Sequence, residues 1–443
     1  MNITVVGLAK SGVGAANLLH SLGARVTVTD SKTEGELAEQ AGRLSPGITK
    51  ALGTHPDEIF TKAGLIVVSP GVPLTIPPLK KAADAGVGII GELELSYMLS
   101  DSPFIAITGT NGKSTTTTLV GEMIKAAGMK TYVGGNLGNA LTDEPERLKG
   151  QDYIVAEVSS FQLETIKAFR PRISAVLNIT QDHLDRYAGM EEYAAAKARV
   201  FMNQVESDLL VLNADDPPTA SLAGLARCRV ALFSRKKPVV GAYVEDGTVV
   251  YAMGLGAAQP LIPVDEIKIK GAHNVENALA ASVMALAAGV SADLIARVLR
   301  EFSGLEHRME FVRELGGVTY INDSKGTNVG AVEKSLEGFT NPVILIAGGL
   351  DKHSDFSLLV PIIRQRVKKL ILIGKASDVM YEALGGATET VKAGYSLDDA
   401  VKLAHESASP GDVVLLSPAC ASFDMFRNFE DRGEKFKELV NKL

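Results

Sequence analysis

The chain has 443 residues, 46% hydrophobic and 22% charged, with a formal net charge of −7 and no Trp. This suits a globular chain of about three domains, and its negative balance offers no global basic field for nucleic acid. Two cysteines, Cys228 and Cys420, exclude a disulfide framework and fit a reducing cytoplasm, while no apolar run approaches the roughly 20 residues of a membrane-spanning helix. Asn2-Ile-Thr-Val-Val-Gly7 reads as a strand entering a turn rather than a signal peptide, so a soluble cytoplasmic protein is expected. A turn, Gly7-Leu-Ala-Lys-Ser-Gly12-Val-Gly14, leads into a helix through Leu19, and a second strand at 25–29 ends in Asp30. That is the βαβ opening of a dinucleotide-binding fold. Ala9 replaces the middle glycine that would let the backbone approach a pyrophosphate, which disfavours NAD and leaves another nucleotide-like ligand at the switch point. Strand-like runs at 64–71 and 86–90 complete a first domain ending near residue 95.

The second region opens on Phe104-Ile-Ala-Ile-Thr-Gly-Thr-Asn-Gly-Lys-Ser-Thr-Thr-Thr-Thr118, a short apolar strand broken at Gly109 and Gly112 and continued as a helix. Strand, glycine loop and helix together read as a phosphate-binding loop. Backbone N–H groups from Gly109, Thr110, Asn111 and Gly112 would converge on an anion at the helix N-terminus. Lys113 adds a charge for the terminal phosphates, and Ser114 or Thr115 a hydroxyl for Mg²⁺. The longer G-x-x-x-x-G-K-[ST] pattern is incomplete, because Ile107 stands five residues before Gly112. The competing reading is a glycine turn with a solvated lysine. Strands at 153–158, 175–179 and 209–212 alternate with helices, as in a mostly parallel sheet covered on both faces. The segment 229–269 lacks helical periodicity and reads as a small antiparallel addition. Helices at 277–288 and 292–302 follow, and Ser303-Gly304 reads as a stop and linker. Alternation then restarts with strands at 318–321, 343–347, 370–373 and 413–416, a third, doubly wound unit.

In open α/β sheets, residues just after strands meet ligands. Glu157 ends an apolar run; alone it reads as a salt-bridged residue, and beside a nucleotide loop as a Mg²⁺ partner. Asp182, His183 and Asp185 follow another strand, with His183 either a structural histidine or a ligand for metal or a substrate oxygen. Lys197 sits among small residues on what is usually a solvated helix face. Were it buried, desolvation would lower its pKa and expose an amine able to take up CO₂ as a carbamate. Asn322-Asp-Ser-Lys-Gly-Thr-Asn328 and Gly348-Gly-Leu-Asp-Lys352 offer Lys325 and Lys352 to carboxylates or phosphates, against a reading as surface lysines. Ser417-Pro-Ala-Cys-Ala-Ser-Phe-Asp424 opens a helix suited to anions, and Cys420 reads as a small buried residue rather than a nucleophile.

Together these stretches resemble the Mur ligases of bacterial cell-wall synthesis over the whole chain. The resemblance is carried by Gly109-Thr-Asn-Gly-Lys-Ser114, Glu157-Val-Ser-Ser-Phe-Gln162, Asp182-His-Leu-Asp185, Gly271-Ala-His-Asn274, His307-Arg308, Asn322-Asp-Ser-Lys325 and Leu416-Ser-Pro-Ala-Cys-Ala-Ser422. It implies three α/β domains: a Rossmann-like UDP-sugar domain at 1–95, a central P-loop ATPase-type parallel sheet at 96–304, and a mobile Rossmann-like amino-acid domain at 305–443. The last stretch, with Asp323-Ser-Lys325, tilts the resemblance toward ATP-driven addition of D-glutamate to UDP-N-acetylmuramoyl-L-alanine through an acyl phosphate. That is a step of peptidoglycan precursor synthesis, and so of cell shape and division. By matching position, Ser11, Asp30, Ser31, Gly71 and Asn136 would meet the sugar nucleotide, joined by Ser159 and Gln162. Lys113, Ser114 and Glu157 would hold ATP phosphate and one Mg²⁺, and His183 with a carbamylated Lys197 the second; Lys113, His183 and Lys197 are the expected catalytic residues. Asn274, Arg308 and Asp323 would touch ATP, while Lys325, Thr327, Lys352, Ser422 and Phe423 would cradle D-glutamate. A monomer with small-molecule substrates is expected. The rival readings are another Mur-type or folylpolyglutamate-type ligase, and a plain P-loop ATPase or kinase.

Overall fold

Three sheets, the first wholly parallel and the others mostly so, lie in sequence along the chain. The structure is a computed structural model and describes every residue except 139, 183–185, 255–256 and 352–353, together with the side chain of Lys10. The first sheet holds β1 (Asn2–Val6), β2 (Arg25–Asp30), β3 (Thr49–Leu52), β4 (Leu65–Val68) and β5 (Ile89–Gly91) in the order β3-β2-β1-β4-β5, all parallel. Its order reverses between β1 and β4, so the crevice beyond their carboxyl ends opens at Gly7 and Ser69.

The second sheet runs β14-β13-β12-β11-β10-β9-β6-β8-β7. Its members are β6 (Phe104–Thr108), β7 (Thr131–Gly135), β8 (Tyr153–Glu157), β9 (Ile173–Val176), β10 (Leu209–Asn213), β11 (Arg229–Ser234), β12 (Gly241–Glu245), β13 (Thr248–Ala252) and β14 (Gln259–Pro263). All five residues of β6 are buried, because the sheet is covered on both faces. Its pleat sends Ile105 and Ile107 into one core with the helices Lys113–Ala126 and Ala272–Ala287, and Phe104 and Ala106 into the other. The expected antiparallel addition is smaller than 229–269. β11 pairs parallel with both β10 and β12, and only β12, β13 and β14 run antiparallel. The helix expected from residue 277 begins at Ala272, the second residue of the Gly271-Ala-His-Asn274 stretch.

The third sheet orders β15 (Glu310–Leu315), β16 (Val318–Asn322), β17 (Val343–Gly348), β18 (Val367–Ile373), β19 (Glu389–Lys392) and β20 (Val413–Leu416) as β15-β16-β20-β17-β18-β19. All pairs are parallel except β15 with β16. The first two units are tied through Glu94 on the helix Glu92–Met98, whose buried carboxylate accepts the backbone N–H groups of Lys167, Ala168 and Phe169 at 2.9, 2.7 and 3.0 Å. Among the described residues no helix is long and apolar enough to cross a membrane.

Candidate active site

The loop after β6 turns sharply and enters the helix Lys113–Ala126 through Gly112, which has φ +82. A side-chain carbon there would stand 2.2 Å from Asn277 Oδ1, so both the backbone conformation and the space require glycine. Asn178, just beyond β9, clamps the loop: its carbonyl accepts from Thr110 N–H (2.9 Å), its Oδ1 from Asn111 N–H (2.8 Å), and its Nδ2 donates to the Asn111 carbonyl (3.1 Å). Two lysines converge on this loop. Lys113 Nζ donates to the carbonyls of Gly109 (2.9 Å) and Thr110 (2.7 Å), and Lys197 Nζ to the same Gly109 carbonyl at 2.8 Å. Lys197 is only 1% exposed, with Nζ 4.3 Å from the centre of the Tyr193 ring, so the buried alternative holds. Burial, and then the charge of Lys113, hold this amine well below the ordinary lysine value, with Asp182 opposing.

A cavity of about 630 Å³ opens over the loop between the second and third units. The second contributes Lys113, Ser114, Asn136, Glu157 and Ser159, and the third Arg308, Asp323, Lys325 and Thr327. Arg308 is presented by a loop whose flanking residues, His307 (φ +61) and Met309 (φ +48), both adopt the left-handed region, a strain the surrounding structure must hold in place. Behind it Asp323 Oδ2 accepts from Ser335 (2.8 Å) and Ser417 (2.6 Å). Burial raises the Asp323 carboxyl, against those hydroxyls and the Arg308 charge. Burial likewise lowers Arg308, opposed by Asp323 and Glu157. Lys325 is pushed down to about 8 by burial and then by Arg308, its Nζ 3.8 Å from the Phe429 ring centre.

Buried Glu157 accepts from Asn136 Nδ2 at 2.7 Å through Oε1, while Oε2 has no hydrogen-bond partner. Thr115 Oγ1, in the first turn of the loop helix, is a second buried oxygen without one. Hard oxygen donors left unsatisfied beside a phosphate loop fit Mg²⁺. Lys197 as it stands is a hydrogen-bond donor and no metal ligand, and His183, its expected companion, lies outside the described residues, as does Lys352.

A smaller cleft of about 220 Å³ lies between the first and second units, lined by Ser11, Pro70, Glu92, Asn136, Gly138 and Gln162 among others. Asn136 lines both cavities. Between them sits a capping box in which Gln162 N–H donates to Ser159 Oγ (3.3 Å) and Ser159 N–H to Gln162 Oε1 (2.9 Å). One residue of that box faces each cavity. Asp30, Ser31 and Gly71 do not line the cleft. Asp30 instead braces the first turn, its Oδ2 accepting from Leu8 N–H at 2.7 Å.

In the third unit Ser422 is buried and Phe423 is 69% exposed, and neither lines the larger cavity. Asn274 also stands back from it. It donates to the Lys270 carbonyl (2.8 Å) and accepts from Asn277 Nδ2 (3.2 Å), so Asn277, one turn on, is the residue that reaches the loop. The cavity wall there includes His273, whose pKa burial lowers to about 4, and Glu276, which receives Arg235 Nε at 2.9 Å. Sequence reasoning passed over Asn178, Asn277 and Glu92. Asn178 carried a signal in its place just beyond β9 and Asn277 in its three-residue spacing from Asn274, whereas Glu92 carried none.

The descriptions of three family models tile the chain: a Mur ligase MurD-like N-terminal domain matches residues 1–91, a Mur ligase middle domain 107–285, and a Mur ligase glutamate ligase domain 307–420. A UDP-N-acetylmuramoylalanine--D-glutamate ligase of Geotalea uraniireducens is 48% identical over 443 residues, covering 100% of this chain and 97% of the relative. Among solved structures, a pseudomurein peptide ligase type C from Methanothermus fervidus superposes with a TM-score of 0.64 at 20% identity, covering 100% and 99% of the two chains. A MurF ligase from Thermotoga maritima in complex with ADP gives 0.61 at 16% identity over 94% and 95%. These last two likenesses speak for the fold alone.

Proposed function

The chain belongs to the Mur ligase family, and from that premise we infer that it is an ATP-dependent ligase joining D-glutamate to UDP-N-acetylmuramoyl-L-alanine. The reaction serves peptidoglycan synthesis, and the cytoplasm is its proposed compartment. The observation that carries the reading is the meeting in one cavity of the phosphate loop with Arg308, Asp323, Lys325 and Thr327 of the third unit. A simple ATPase has no need of the second group. We read the domains as 1–95, 96–304 and 305–443, for the sugar nucleotide, ATP and the amino acid in turn.

In this reading the sugar nucleotide spans the two cavities past Asn136 and Ser159–Gln162, so that its lactoyl-alanine carboxylate reaches the phosphate loop. That carboxylate attacks the γ-phosphorus of ATP in line, forming an acyl phosphate and releasing ADP. Lys113, with Arg308 opposite, offsets the charge on the transferring group. The amine of D-glutamate then attacks the acyl carbonyl, the C–O bond to phosphate breaks, and a proton and inorganic phosphate leave. Below pH 8 Lys325 is mainly protonated and offers a cation to the amino acid's carboxylate or to phosphate. Glu157 and Ser114, with Thr115 behind, would hold Mg²⁺, which when bound neutralises phosphate charge. For Lys197 we propose carbamylation: its neutral amine adds to CO₂ and releases a proton, converting a buried cation into an anion.

Phosphate release from Mg-ATP should require both UDP-N-acetylmuramoyl-L-alanine and D-glutamate and give an amide product heavier by one glutamyl residue. Dependence on the sugar nucleotide with a different amino acid would overturn the choice of D-glutamate. Release from ATP alone at an unchanged rate would replace the ligase with an ATPase.

A further inference from the structure

Residues 323–328 run from the end of β16 to the helix Val329–Glu337 and bring the third unit onto the phosphate loop. At their end, Asn328 uses both halves of its amide. Oδ1 accepts from Ala331 N–H at 2.8 Å and caps the helix. Nδ2 points the other way, across the domain boundary, 3.2 Å from Asp182 Oδ2 and 3.4 Å from Asn111 Oδ1. Asn111 is part of the phosphate loop and is itself clamped by Asn178. The approach is close elsewhere too: a side-chain carbon at Gly330 would lie 3.4 Å from Thr180 Oγ1 and 3.5 Å from Asn111 Nδ2. Asparagine meets both demands because it carries an acceptor and a donor on one rigid group. Aspartate or serine caps a helix as well, but aspartate has no donor for Asp182 and serine lacks the reach.

We propose that Asn328 is a positioning residue that fastens the third unit to the phosphate loop, setting where Lys325 and Thr327 stand relative to Lys113. Asn328 and Asp182 are not among the residues expected to touch substrate, whereas Asn111 belongs to the phosphate loop itself. The proposal deepens the ligase reading and rests on it.

The test compares Asn328→Ser, Asn328→Asp, Asp182→Asn and the double variant Asn328→Asp/Asp182→Asn in the full chain, by steady-state turnover, KM for ATP and D-glutamate, and thermal unfolding. Both Asn328 variants keep a cap, so their unfolding midpoints should stay within about 2 °C of the parent. Turnover should fall roughly 10-fold in Asn328→Ser and further in Asn328→Asp, where oxygen faces oxygen, while the KM for ATP moves by no more than about threefold. The double variant restores a donor–acceptor pair with its polarity reversed. It should recover at least about fivefold over the product of the two single losses. Parent-like turnover in both Asn328 variants, or single losses that simply multiply, would overturn the positioning role and leave the ligase reading standing. A parent enzyme that makes no D-glutamate-dependent product would sink that reading and this proposal together.

Discussion

The two cavities differ in how they prepare for negative charge. The larger one gathers Lys113, Arg308 and Lys325 into a partly dehydrated space, and burial lowers Arg308 and Lys325 from their ordinary values. Free-energy cost is thus borne before any ligand arrives, which suits a site that must stabilise charge developing during phosphoryl transfer. The smaller cleft does the reverse. Its buried ionisable group is a carboxyl, Glu92, pushed up to about 7 by burial, with Ser11 and Ser69 hydroxyls opposing and Asp143 reinforcing the rise. A diphosphate docked there meets hydroxyls and backbone N–H groups rather than a buried cation among the described side chains. In the ligase reading we propose, chemistry belongs to the larger cavity and holding to the smaller cleft.

The sharpest way to break that division is Lys113→Ala. If the larger cavity alone handles developing charge, turnover should fall on the order of 10³-fold. Affinity for UDP-N-acetylmuramoyl-L-alanine, measured calorimetrically without ATP, should stay within about twofold of the parent. A comparable loss in both would mean that the two cavities act as one site.

How much of this was legible in the sequence follows the same physics. Buried parallel strands such as β6 announce themselves because both faces are apolar, and the loops at their carboxyl ends could then be ranked for chemistry. The strands that went unread, β3, β7, β15 and β19, each lie at a sheet edge. β3, β15 and β19 have no buried residue and β7 only alternates half-buried with buried ones, so no continuous apolar run marks them. Among site residues, Glu157 was legible because it ends such a strand, and Lys113 because it opens the helix after the glycine loop that follows one. Asn277 was hidden behind Asn274: the familiar His-Asn pair draws attention, while the helix turns the next asparagine, not that one, toward the loop. Glu92 lay beyond sequence reading altogether, since its character comes from the second unit closing over it.

Glu92→Gln sharpens the comparison from the other side. The ordinary carboxyl value is 4.5 and the folded value about 7, so between them the folded chain keeps a proton that the unfolded chain has released. The parent should therefore lose stability as pH rises from about 4.5 to 7, and the deficit should stay constant above that. Glutamine keeps the acceptor for Ser69 without the charge. The variant should match the parent at pH 4.5 and exceed it by roughly 3 kcal/mol at pH 8, read from urea unfolding of the full chain. A gap of equal size at every pH would show that the carboxyl's charge is not what burdens the cleft.

The smallest expected effect concerns how each cavity is assembled. The smaller cleft is closed by the rigid tie of Glu94 to three backbone N–H groups. The larger one depends on a unit reached through Gly304, which has φ +94. An alanine there would bring its side-chain carbon 3.4 Å from Ile269 Cγ2, an ordinary contact, so the strain comes from the backbone at about 1 kcal/mol rather than from crowding. Such a change biases the linker toward other conformations without touching either cavity wall. Gly304→Ala should lower turnover about threefold to fivefold and leave sugar-nucleotide affinity unchanged, because only the larger cavity needs its two halves brought together on each cycle. Unchanged turnover would move the hinge elsewhere in 302–309. Weakened sugar-nucleotide binding would mean that the first cleft also feels the position of the third unit, and that the separation between holding and chemistry is less complete than the two cavities suggest.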